Sequence, residues 1–194
     1  MKRLTVIKLG GGLAGMPGGL ARAAAAIQQA ALRSPLLVVP GGGVLADAVH
    51  AAENDLRLTP EAAHWMAILA MDQFAHAIAC VMRSARVVYD AAEVQEALAS
   101  SLVPVLAPYR WLLAADVLPH SWDATSDSIA AFVAGALDAE SLVLLKPVGG
   151  PLATLVDPCF QSVRPVGLKV VVLGSEELNR LSMVAADASG RAGD

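Results

Sequence analysis

Runs of six to eight residues rich in Val, Ile and Leu alternate along this chain with alanine-rich stretches of helical composition. That alternation is the strongest constraint on its fold. Strands are expected at 4–9, 35–40, 85–90, 102–108, 141–147 and 167–174. Helices are expected at 19–33, 44–55, 60–83, 91–100, 109–116, 125–137 and from Ser175 onward, with the last ten residues frayed. Thr59 and Pro60 have the chemistry of a helix cap and a first-turn proline. Strand–helix alternation from end to end predicts an α/β fold, a mostly parallel sheet with helices on both faces. Such sheets bind ligands beyond the carboxyl ends of their strands.

Composition narrows the function classes. Of 194 residues, 56% are hydrophobic and 16% charged, which excludes a disordered chain and suggests apolar surface shared between subunits. A net charge of −4 provides no broad basic field for nucleic acid. Cys80 and Cys159 form no metal-spaced pair, and a reducing cytoplasm is the plain expectation. The first apolar run is too short for a secretory signal. The most membrane-like segment, 62–82, is interrupted by His64, Asp72, Gln73 and His76, so a helix in the core or against another subunit is expected there.

Two of the apolar runs end in glycine triplets, "VIKLGGG" and "VVPGGG". Glycines between a strand and a helix expose backbone amides, and a helix beginning near Gly18 would add the positive end of its dipole. A phosphate suits that surface, and Lys8 can add a compact charge; a solvated lysine beside a glycine turn is the plainer reading. The order is not that of the phosphate-binding loop, because the lysine precedes the glycines and no Ser or Thr follows. Nor is there an acidic residue where dinucleotide enzymes carry one. Adjacent parallel strands would set Gly10–Gly12 beside Gly41–Gly43.

Polar residues crowd one further segment, "PHSWDATSDSIAAFVAG". A helix start needs one capping residue, yet Asp123, Thr125, Ser126, Asp127 and Ser128 all fall there. Asp123 and Asp127, four apart, would share a helix face. His120 and Trp122 offer a donor and a flat apolar surface to a small ligand. Lys146 in "LVLLKPVGG" repeats the placement of Lys8, although a strand-end lysine reaching to water reads equally simply. Two strand-delivered lysines at one rim could flank a transferring phosphoryl group, a reaction that depends on positioning and charge.

The ordered set "VIKLGGG", "VVPGGG", "TSDSIAAFVAG" and "LVLLKPVGG" resembles the amino acid kinase superfamily across nearly the whole chain. "HWMAILAMDQFA" and "PHSWDATSDSIAAFVA" most resemble the branch that phosphorylates an aminomethylfuran methyl phosphate in methanofuran biosynthesis. The resemblance implies a three-layer αβα sandwich, a cytoplasmic homo-oligomer using ATP and Mg2+. Residues up to about 138 would bind a small phosphorylated acceptor, and the short remainder would bind nucleotide, with no nucleic-acid or membrane partner. It implies Lys8, Asp127 and Lys146 as catalytic residues, and Lys8, Gly10, Gly11, Lys146, Gly149 and Gly150 as the ATP site. Gly41, Gly42, Gly43, His120, Trp122, Asp123 and Ser126 would bind the acceptor; no residue is assigned to a metal. Where relatives read K-D-V-D-G, this chain has "KPVGG", and its closing "GRAGD" stands where the family has a glycine loop. A uridylate-type or carboxylate kinase, or a non-catalytic phosphometabolite- or oxyanion-binding homologue, are the alternatives.

Overall fold

The computed structural model describes residues 4–188. Six parallel strands form one sheet: β1 (Thr5–Leu9), β2 (Leu36–Pro40), β3 (Ala85–Val88), β4 (Val103–Leu106), β5 (Ser141–Leu145) and β6 (Lys169–Leu173). Their spatial order is β3-β4-β2-β1-β5-β6. The chain lays β2 beside β1, sets β3 at the edge, fills the gap between β2 and β3 with β4, and then returns to the other side of β1 with β5 and β6. Lys8 lies opposite Val39 of β2 and Leu144 of β5. Strands β1, β2, β4 and β5 are buried along their whole length, as expected of a parallel sheet covered on both faces.

Alternate residues of each strand enter opposite cores. Ile7, Leu9, Val38 and Val143 pack with Ile27 of α2 (Gly19–Ala31) and Leu181 of α9 (Leu181–Ala188). Val6, Leu37, Val39, Leu142 and Leu144 pack with Ile129 and Val133 of α7 (Ser126–Ala136). This is a three-layer αβα sandwich. Period-two arithmetic puts Lys8, two residues after Val6, on the α7 face. Lys146 follows Leu144 by two and takes the same face.

Helix α4 (Pro60–Val81) supplies Ile78 and Met82, beyond its end, to one core and Ile68 and Met71 to the other. Thr59 Oγ1 accepts from Ala62 N, so the expected cap is in place. Asp72, one of the residues that interrupts the membrane-like segment, accepts from Tyr109 N at 2.9 Å and thereby holds the first turn of α6 (Tyr109–Ala115). No helix among the described residues is long and apolar enough to cross a membrane. Helix α3 (Gly43–Ala52) packs along α4, and α5 (Ala91–Ala99) lies beside β3 and β4.

Three local expectations are corrected. The first glycine triplet is not a long loop, because a one-turn helix, α1 (Gly11–Ala14), begins within it. The amides next to Lys8 are therefore those of α1, and Gly18 starts α2 further along. Another short helix, α8 (Phe160–Val163), follows a turn of 3₁₀ helix at 152–154, and the start of the last helical segment is itself 3₁₀. The chain is helical through Ala188, where fraying was expected over the last ten residues; the remaining six, with "GRAGD", lie outside the described residues.

The start of α7 is capped from a distance. Thr125 makes no side-chain cap of its own. Instead Asp157 Oδ2 accepts from Thr125 N, Thr125 Oγ1 and Ser128 N at 2.8–3.0 Å, and Asp157 Oδ1 accepts from Ser128 Oγ. A carboxylate at a helix start satisfies orphan amides and complements the dipole. Replacing it leaves those donors short of partners. Asp157→Ala is expected to lower stability by about 2 kcal/mol, read from urea unfolding midpoints, with Asp157→Asn recovering part of the loss.

Candidate active site

The first turn of α7 drops Asp127 onto the sheet between the two strand-end lysines. Lys8 Nζ lies 2.9 Å from Asp127 Oδ1, and Lys146 Nζ donates to Oδ2 at 2.6 Å. Lys8 and Asp127 are each only 4% exposed. Small residues such as Ala130, Ala131 and Ala134 bring α7 close enough for a short aspartate to reach. The Lys8 contact is an ion pair outside hydrogen-bond geometry, so Oδ1 accepts no aligned bond among the described residues.

Burial alone would raise the Asp127 carboxyl, but Lys8 and Lys146 more than reverse this and hold it below the ordinary carboxylate range. Burial lowers Lys8; the attraction of Asp127 opposes the fall without cancelling it, and the like charge of Lys146 adds to it. One carboxylate thus holds two ammonium groups that would otherwise repel. With both lysines protonated, two ammonium groups face one carboxylate, an excess of positive charge that suits an anion.

The two glycine triplets meet beside it. A Cβ on Gly11 would lie 2.3 Å from both the N and Cα of Gly43, so the two backbones touch. Gly43 has φ +55, a conformation that favours glycine. Not all the glycine amides are available, however. Gly10 N donates to Leu145 O at 3.0 Å and Gly41 N to Leu9 O at 2.8 Å. These two assigned ligand residues instead tie the loops to the sheet, and a Cβ on Gly10 would lie 3.6 Å from Lys8 Nζ. The amides left over are those of the first turns of α1 and α3, from Gly11 and Gly43 onward.

A cavity of about 670 Å³ opens from these loops. Its walls include Gly11, Gly12, Gly42 and Gly43, Asp47 and His50 of α3, Glu53 just past its end, and His64, Ile68 and Met71 of α4. His120, Trp122 and Ser126 also line it. Trp122 Nε1 donates to Glu53 Oε2 at 2.8 Å, and its ring meets His50 edge-on. The His120 ring stacks on His64 with centroids 4.5 Å apart, and its Nε2 lies 2.8 Å from Asp116 Oδ1.

Asp123 is misplaced by the sequence reading. It precedes α7, is exposed, does not line the cavity and shares no helix face with Asp127. Gly149 and Gly150 lie outside the cavity as well; a Cβ on Gly149 would meet Glu177 Oε2 at 2.7 Å. Pro147 bears on Gly12, 3.1 Å from where its Cβ would stand. Sequence reasoning missed Asp157, Asp47, His50, Glu53 and His64. Asp47, His50 and Glu53 follow the second triplet at intervals of three and fall in no quoted motif; His64 opens "HWMAILAMDQFA" but was given no role there.

The parallel sheet covered by helices, with paired lysines and glycine loops at the carboxyl ends of its central strands, defines an α/β protein of the three-layer kind. The comparisons place it more narrowly. Residues 3–150 match the model of the amino acid kinase family, and the chain belongs to that family. It is 26% identical over 117 residues to a [5-(aminomethyl)furan-3-yl]methyl phosphate kinase of Methanocaldococcus jannaschii. That match takes in 59% of this chain and 53% of the relative, about half its length. Among solved structures, the fold is similar to a UMP kinase from Bacillus anthracis (TM-score 0.73, 16% identity, 94% of this chain and 93% of that one). It is also similar to a uridylate kinase from Archaeoglobus fulgidus (0.69, 18%, 99% and 97%). An aspartate kinase from Synechocystis is covered over 38% of its length by 89% of this chain (0.68, 16%).

The stacked histidines give the site a pH signature. Burial, and then the neighbouring His120, lower His64 from 6.5 to about 4. The unfolded chain therefore binds a proton between these values that the folded one refuses, and stability falls as pH drops through that window. His64→Gln is expected to flatten the fall. Urea unfolding of both proteins at pH 7 and pH 5 checks this: the wild type should lose more stability between the two.

Proposed function

We propose that the protein is an ATP-dependent kinase whose acceptor is a small phosphate monoester, and that the acceptor is an aminomethylfuran methyl phosphate as in the methanofuran relative. The observation that carries the reading is the convergence of Lys8 and Lys146 on Asp127 beside two touching glycine loops. In the proposed reaction an acceptor phosphate oxygen attacks the γ-phosphorus of ATP in line. A new P–O bond forms, the β–γ bridge breaks, ADP leaves with the bonding pair, and the product is a diphosphate.

A phosphate monoester is largely dianionic near neutral pH, its second pKa being about 6. Its oxygen needs no general base, which agrees with a site whose one buried carboxylate is clamped by lysines. Lys8 would neutralise charge on the transferring group, with the amides of Gly11 and Gly12. Lys146 would act on the nucleotide side, with the turn at Gly149 and Gly150. Asp127 would position both ammonium groups. The acceptor would lie in the cavity, its phosphate toward Gly42 and Gly43 and its ring among Ser126, His120 and Trp122. We assign acceptor binding to residues up to about 138 and nucleotide binding to the remainder, in a homo-oligomeric cytoplasmic protein.

Among the described residues no three His, Cys, Asp or Glu side chains gather as a metal site. The residues present therefore do not form a protein-only magnesium cage, and Mg2+ would accompany the nucleotide on its phosphates, which suits that ion.

Lys8→Met is expected to reduce kcat by about 10²–10³-fold, the loss typical of removing one charge-stabilising donor, while the protein stays folded. Coupled detection of ADP, with circular dichroism for folding, checks it. Unchanged turnover in the folded variant would refute the role. Acceptor binding by the wild type without ATP binding would instead identify a phosphometabolite-binding homologue.

A further inference from the structure

The cavity has two chemically different ends. One end is made by the glycine loops, Gly11, Gly12, Gly42 and Gly43, with the lysine pair outside the cavity lining. The other wall is α3 and the residue that ends it, which present Asp47, His50 and the C-terminal cap Glu53 at successive intervals of three residues. Of its two carboxylates, Glu53 is already committed: Oε2 accepts from Trp122 Nε1 at 2.8 Å and lies 3.4 Å from His50 Nδ1. Asp47 lines the same cavity and has no hydrogen-bond or ion-pair partner among the described residues.

We infer that Asp47 is the specificity-determining residue that receives a positively charged amine on the acceptor. The inference rests on the reading of the acceptor as a phosphate monoester bound at the glycine loops. Gly43 opens α3 and Asp47 stands four residues on, about 6 Å further along the helix axis. A five-membered ring with a one-carbon arm on either side spans a little more than one helical turn of ~5.4 Å. With its phosphate at Gly42 and Gly43, such a molecule brings the amine on its far arm to Asp47. The wall between is apolar, formed by Ala46, Ile68 and Met71, and suits the ring.

Charge also fixes the direction of binding and the acceptors refused. A phosphate at the Asp47 end would meet a carboxylate without a counter-ion, so the molecule binds one way round. An acceptor bearing a carboxylate at that place would be repelled, and a neutral ring would gain no ion pair.

Calorimetry without nucleotide tests this. The probes are [5-(aminomethyl)furan-3-yl]methyl phosphate and the analogue carrying methyl in place of aminomethyl. Wild-type protein, Asp47→Asn and Asp47→Ala are compared; Asp47 is exposed on α3, so neither change disturbs a core. The wild type is expected to prefer the amine by about tenfold, the scale of one charge-assisted contact. Both variants should lose that preference and bind the methyl analogue as the wild type does. Equal affinities in the wild type, no binding of either probe, or a preference that survives in both variants would overturn the inference. ADP release on adding ATP is scored separately. An Asp47-dependent preference without ADP release keeps amine recognition and refutes the kinase reading. Transfer to phosphate monoesters with no dependence on Asp47 does the reverse.

Discussion

Everything in this site depends on one buried aspartate holding two ammonium groups. A lysine with 4% exposure, such as Lys8, is costly to keep charged, and a second ammonium beside it makes matters worse. Asp127 offsets both terms, offering Oδ1 to Lys8 and Oδ2 to Lys146. The carboxylate is itself held at the start of α7, where the helix dipole favours negative charge. That start is fixed by Asp157, a residue of the next segment that gathers the donors of Thr125 and Ser128. Remote packing is thereby linked to the geometry of the charged cluster.

The cluster's place in the sheet follows from topology. The strand sequence reverses direction of growth around β1, and β5 is laid beside it late in the chain. Parallel strands end together, so the lysines and both glycine triplets gather at one rim. Close approach does the rest. Gly11 and Gly43 touch backbone to backbone, which any side chain at Gly11 would prevent, while Gly10 and Gly41 give their amides to the sheet. The glycines therefore divide into those that build the rim and those that leave amides open to a ligand.

The cavity shows a similar division among its polar groups. Trp122, His50 and Glu53 bind one another, and His120 binds Asp116 while stacking on His64. These contacts shape the wall. Asp116 ends α6 with φ +43, a left-handed conformation that aspartate tolerates. Against this background Asp47, which has no hydrogen-bond or ion-pair partner among the described residues, stands out.

The sequence by itself determined the six strands, the long helices and their order, though not the one-turn helices α1 and α8. Apolar runs of strand length, alanine-rich helices, Thr59 and Pro60 at a helix start, and lysines and glycines at strand ends are all local signals, set by backbone sterics and hydrophobic period. It also set the face of each lysine, because Lys8 follows Val6, and Lys146 follows Leu144, by two. What it could not supply was who neighbours whom. Asp123 looked equivalent to Asp127 until α7 began at Ser126, and Gly10 looked like a free amide until Leu145 O claimed it. Asp157 and Asp47 carried no motif, since an acid 32 residues from the threonine it caps, or four past a triplet, is unremarkable in a linear chain. Those assignments were made only by tertiary structure, because hydrogen bonds and ion pairs act over a few ångströms of space, whatever the distance along the chain.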